Sequence, residues 1–169
     1  MQRILVPLDG SELAEVALPH AIDLATQFSA TLHLVRVVPL ARQMAASSLS
    51  GATGGMDGMS AVDIEVIEEA VALQTQEAGS YLDEQAQGLR GRGLTVETET
   101  RQGSASEEII RHAQANNVDM IAISSHGRSG LGRLVFGSVC DKVMREAGIP
   151  VLVIKPPKSA KKGSGADAA

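Results

Sequence analysis

The chain has 169 residues, 44% hydrophobic and 21% charged, a balance that suits one soluble globular domain with a full-sized core. A net charge of −5 and an aromatic set limited to Phe28, Phe136 and Tyr81 argue against a nucleic-acid partner, since neither a basic face nor base-stacking platforms are available. Cys140 is the single cysteine, which excludes an intramolecular disulfide or a cysteine metal cluster, and no apolar run approaches the ~20 residues that span a bilayer.

The N-terminal MQRILVPLDG carries too short an apolar run before Asp9 for a secretory signal, so a cytoplasmic location is expected. Within it, Arg3 to Leu8 reads as a buried strand bounded by Asp9-Gly10, with Pro7 near the end, where a missing ladder donor matters least. Ser11 is placed to cap a helix. Leu13, Val16, Ala17, His20, Ala21, Leu24, Ala25 and Phe28 then recur at helical spacing, predicting one helix with a single apolar face. Thr31 to Val38 is the second strand, stopped by Pro39.

From Leu40 to about Val62 the pattern vanishes into Ala, Ser, Gly and Met, so 41–62 is expected to be an insertion, either a disordered linker or a flap over a ligand. Ile64, Ile67, Val71, Ala78, Leu82 and Leu89 mark a long amphipathic helix. Its acidic residues, among them Glu65, Glu68, Glu69, Glu77, Asp83 and Glu84, read as a solvated face. Thr95 to Arg101 alternates with period two, as a half-exposed edge strand does. Ser104 and Glu107 fit a capping box for the next helix, which ends near Asn116-Asn117. Met120 to Ser124 is the fourth strand. A helix from Ser138 to Glu146, closed by Gly148 and containing Cys140 as a buried thiol, leads to the fifth, Val151 to Ile154. Residues 157–169 are a low-complexity tail expected to be disordered, which leaves 1–156 as the folded domain.

This alternation predicts the α/β class: an open five-stranded parallel sheet with helices on both faces, Rossmann-like, in strand order 3-2-1-4-5. In such sheets ligands sit beyond the strand carboxyl ends where the order reverses, which sets Asp9-Gly10 opposite the segment after the fourth strand. That segment, SSHGRSGLGRLVFGS from Ser124 to Ser138, is glycine-rich and ends at a helix start. Backbone N–H groups and a helix N-terminus suit phosphate. It lacks the Gly-Lys-Ser/Thr of a Walker loop, and the dinucleotide fingerprint does not follow the first strand.

What remains is Gly127, nine intervening residues, then Gly137-Ser138. Together with VPLDGS (Val6 to Ser11) and GIPVLVIK (Gly148 to Lys155), this spacing resembles the universal stress protein family over about Gln2 to Pro156. The resemblance implies an ATP site. Gly127, Gly137, Ser138 and the N–H of Val139 would hold phosphates, Asp9 would lie near the ribose and a magnesium ion, and Pro7 with the backbone of Val37 would line the adenine pocket. Ser124 replaces the first glycine of the family's pattern, where it either crowds the ribose or adds a hydroxyl that contacts it. His126, Arg128 and Ser129 complete the candidate loop. Arg128 and Arg133 either reach phosphates or face water, and His126 has no metal-spaced partner.

The resemblance also implies a homodimer through the last strand, Val151, Leu152, Val153 and Ile154, an apolar edge of the kind that invites pairing. No nucleophile–base set or acid–base pair is evident, so catalysis would amount at most to slow ATP hydrolysis. The expected protein is a cytoplasmic, nucleotide-dependent regulatory dimer. The alternatives are a family member that binds no ATP and acts as an interaction dimer, and a slow ATPase.

Overall fold

The computed structural model describes residues 1–41, 61–126 and 136–157, with side chains from 65 onward in the second stretch. The expected loop residues Gly127, Arg128 and Ser129, with Arg133, lie outside the described residues, as do 42–60 of the insertion and 158–169 of the tail.

Five strands form the sheet: β1 (Arg3–Pro7), β2 (Thr31–Val38), β3 (Val96–Gln102), β4 (Met120–Ser124) and β5 (Val151–Ile154). All pairings are parallel and the order is β3-β2-β1-β4-β5, as the alternation predicted. Parallel strands covered on both faces read as continuous apolar runs, and RILVP, TLHLVRVV, MIAIS and VLVI are of that kind.

The helices among the described residues are α1 (Glu12–Glu15), α2 (Leu18–Phe28), α3 (Ala61–Arg90), α4 (Ala105–Ala115) and α5 (Ser138–Glu146). Successive strand residues point to opposite faces, so the inner strands feed two cores. Ile4, Val6, Leu32, Leu34 and Ala122 pack against α1, α2 and α3, while Leu5, Val35, Ile121 and Ile123 pack against α4 and α5. Among the described residues no helix is long and apolar enough to cross a membrane.

The predicted single first helix is two. Ser11 caps α1, its Oγ accepting from the Ala14 N–H at 3.2 Å, but the helix stops at Glu15 and restarts at Leu18. Pro19 is the reason. It has no N–H to donate to Glu15, and its ring crowds that carbonyl. The buried stripe runs through Ala14, Ala17, Ala21 and Ala25, so small residues let the helices lie close to the sheet. His20 and Phe28, expected on the apolar face, are exposed at its flank.

The expected capping box of α4 does not form. Ser104 occupies the N-cap with extended geometry but makes no side-chain cap bond, and the Glu107 carboxylate, which would complete the box, instead accepts from Lys142 Nζ on α5 at 3.0 Å. Gly148 closes α5 as expected, in the left-handed conformation (φ +68°) that favours glycine after a helix.

The long helix α3 buries Val71, Ala78, Leu82, Ala86 and Leu89 and leaves its acidic face in solvent. Leu82→Ala is expected to lower unfolding stability by about 2–5 kcal/mol in urea titration, since the cavity cannot collapse between helix and sheet. A loss below about 1 kcal/mol would place α3 in a different register.

On the opposite face, a charged seam runs beneath α4. His33 on β2 and His112 on α4 are buried, their ring centroids 5.6 Å apart. Glu97 lies 3.5 Å from His33 Nδ1 and Glu99 lies 3.2 Å from His112 Nδ1. Nearer the strand's carboxyl end, the buried carboxylate of Glu108 pairs with Arg101 at 2.8 Å and with Arg111.

Candidate functional site

From β1 the chain winds outward to β2 and β3 on one side, and from β4 to β5 on the other, so the order reverses between β1 and β4. The strand-following segments diverge there and leave a crevice. A cavity of about 280 Å³ occupies it. Its rim is the Pro7–Asp9 turn, the end of β4 through His126, and the start of α5; Val35 and Val37 of β2 and Ile109 of α4 form an apolar wall.

Asp9, Ser124, Ser125 and His126 at the rim are held by local bonding. Asp9 Oδ1 accepts from Ser11 N at 2.9 Å and from Ser11 Oγ at 2.6 Å, so the carboxylate that organises the start of α1 also lines the cavity. At the end of β4, Ser125 N donates to the Ile154 carbonyl at 2.7 Å, and the Ser125 carbonyl accepts from Gly137 N at 2.8 Å. This pair fixes where α5 begins relative to the sheet. Ser124 Oγ accepts from His126 N at 3.3 Å, and Ser125 Oγ sits 2.9 Å from His126 Nδ1. The Ser124 hydroxyl is therefore engaged within its own turn and buried.

Gly137 is the N-cap of α5 and offers no side chain, so the first-turn N–H groups of Ser138, Val139 and Cys140 have no intrahelical partner and carry the positive end of the helix dipole. Because the Gly137 N–H is committed to Ser125, its contribution to the cavity is the absence of a side chain. Its φ of −70° and ψ of 156° are open to any residue, and a Cβ would meet the Ser125 carbonyl oxygen at only 3.4 Å. Among the described residues neither backbone nor packing demands glycine here. Burial pushes the Cys140 thiol up to about 11, helped by Asp141, so it is an unreactive lining group. Among the described residues no group of three His, Cys, Asp or Glu is arranged to hold a metal ion.

The crevice brings together Pro7, Asp9, Val37, Ser124, His126, Gly137, Ser138 and Val139, residues from four separate segments of the chain. Sequence reading missed Val35, Ala105, Ile109, Ser125 and Cys140. Val35 had a signal, since period two along a strand sets it on the same face as Val37. Ala105 and Ile109 had none, because only the packing of α4 over β2 brings them to the cavity.

The family model of the universal stress proteins matches residues 1–155. The chain belongs to the universal stress protein family. MJ0577, a universal stress protein of Methanocaldococcus jannaschii, is 30% identical in sequence over 91% of this chain and 94% of its own. Its solved structure aligns with a TM-score of 0.76 at 28% identity, covering 93% of this chain and 97% of that one. Two more distant universal stress proteins have been solved with adenine nucleotides. One is a cAMP complex (TM-score 0.61, 19% identity, covering 90% and 96%). The other is a dAMP complex from Archaeoglobus fulgidus (TM-score 0.56, 20% identity, covering 92% and 98%). At those identities the likeness to this universal stress protein is one of fold.

Proposed function

We propose that this universal stress protein binds ATP in the crevice between β1 and β4 and acts as a cytoplasmic stress-response dimer whose state follows nucleotide occupancy. What carries the reading is the convergence, on one cavity, of a helix N-terminus with no side-chain cap among the described residues, the Asp9 carboxylate and an apolar wall. These three suit phosphate, ribose and adenine in turn. A volume of about 280 Å³ is near the small end of ligand sites, fitting the nucleoside with phosphates running outward along α5.

In this reading the N–H groups of Ser138 and Val139 take the phosphates, Gly137 leaves them room, and Pro7 and Val37 flank the base. Magnesium would ride on the phosphates with Asp9 as its one protein contact, as that ion commonly does. The Ser124 hydroxyl accepts from His126 N within its own turn, which supports tolerance of serine at the position where the family's pattern has glycine. Nucleotide complexes of related fold support the ligand class. With no positioned base among these groups, the protein holds ATP and does not turn it over quickly.

Calorimetric titration with ATP, ADP and AMP tests this directly, and saturable one-to-one heat with ATP is expected. No heat with any of the three would favour a family member that works through its dimer alone. The dimer is assigned to β5, the sheet edge, where Val151, Leu152 and Val153 are only half-buried within the protomer. Val151→Lys or Val153→Lys is expected to give monomers in sedimentation velocity; a stable dimer in both would move the interface elsewhere.

A further inference from the structure

Arg36 and Tyr81 lie behind the crevice, on the sheet face away from Val35 and Val37, and both bear on the turn that carries Asp9. The Arg36 Cζ is 5.1 Å from the centre of the Tyr81 ring. The same guanidinium lies against Gly10, where a Cβ would meet its atoms at 3.1–3.2 Å. Gly10 adopts φ +82°, so glycine serves both the left-handed turn and the close approach of arginine. The Tyr81 hydroxyl donates to Glu15 Oε1 at 2.7 Å, and Gln85 Nε2 donates to the same oxygen at 3.4 Å. Glu15 ends α1, which Ser11 caps, and Ser11 holds Asp9 through two hydrogen bonds. The contacts close a ring from Asp9 through Ser11, α1, Glu15, Tyr81 and Arg36 to Gly10.

We infer that Arg36 and Tyr81 are positioning residues that fix the Asp9 carboxylate for the sugar of the bound nucleotide, and so set how strongly the site prefers ribose to deoxyribose. The inference rests on the ATP reading above. Neither residue lines the cavity, so each acts through the turn. Burial and the Glu15 contact push the Tyr81 hydroxyl well above its ordinary range, so it remains a donor at any pH where the protein works. The α5 N-terminus belongs to a different segment and takes no part in the contacts of this ring.

The test compares wild type, Tyr81→Phe and Arg36→Met with ATP and with its 2′-deoxy and 3′-deoxy analogues, after confirming each fold by circular dichroism. Tyr81→Phe keeps the ring and removes only the hydroxyl. Each variant is expected to lose about tenfold in ATP affinity, the equivalent of one good hydrogen bond, with a smaller loss for the deoxy analogues. The ATP-to-deoxy preference should then shrink toward that of Asp9→Asn. Equal losses for all three nucleotides, or an unchanged preference, would overturn the inference. Amide hydrogen exchange at Gly10 and Ser11, measured without ligand, separates the two levels. Faster exchange in both variants is expected, and unchanged exchange overturns the positioning role even if ATP binding itself fails in wild type.

Discussion

Gly137→Val is expected to weaken ATP binding at least ~100-fold, beyond about 2.7 kcal/mol, while the protein stays folded. The backbone at this position is extended, at φ −70° and ψ 156°, a region β-branched residues occupy without strain. The added Cβ would touch the Ser125 carbonyl oxygen at 3.4 Å and the His126 Cα at 4.0 Å, which are ordinary contacts. Gly137 lines the cavity, so the methyl groups are expected to enter it at the point where phosphates would approach the first turn of α5. Loss of glycine at an N-cap costs stability of about 1 kcal/mol or less, too little to unfold a domain of this size. Calorimetry with ATP and a thermal melt on the same sample separate the two effects. Wild-type affinity in a folded Gly137→Val protein would mean that phosphates are held elsewhere.

Unfolding stability is expected to fall steeply as pH drops below about 6.5, because of His33 and His112. Both rings are buried, and the Nε2 of each has no hydrogen-bond partner among the described residues. Burial holds both below the ordinary histidine value of 6.5, outweighing Glu97 at His33 and Glu99 at His112; Arg3 and Arg101, together with the neighbouring ring, act in the same direction as burial. The folded protein thus keeps both neutral where the unfolded chain takes up protons. Stability is fully present above pH 6.5 and declines as pH falls from there toward the folded values. The slope reaches at most ~2.7 kcal/mol per pH unit when both histidines contribute. Urea titrations from pH 8 to 5 measure it. The double variant His33→Gln, His112→Gln should flatten that window, and a flat wild-type profile would contradict the account.

The strands were legible because parallel strands in a covered sheet are rich in apolar residues. Thr31–Val38, apolar but for Thr31, His33 and Arg36, and Val151–Ile154 are of this kind, each bounded by a proline or a turn. The position of the crevice followed from strand–helix alternation, because reversal of strand order is what opens one. What stayed hidden depends on packing between distant segments. Pro19 sat within a helical pattern strong enough to mask the break it causes. His33 and His112 meet only because α4 lies across β2 and β3, and Arg36 meets Tyr81 only because α3 covers the other face. Glu107 matched a capping box but found Lys142 instead, a competitor that local sequence does not reveal.

The central claim is that the crevice at the strand-order reversal holds an adenine nucleotide, and a crystal structure of the protein grown with ATP tests it most directly. The account predicts adenine beside Pro7 and Val37, ribose at Asp9, and phosphates on the Ser138 and Val139 N–H groups. An empty crevice at saturating ATP, or nucleotide bound at any other surface, would contradict it.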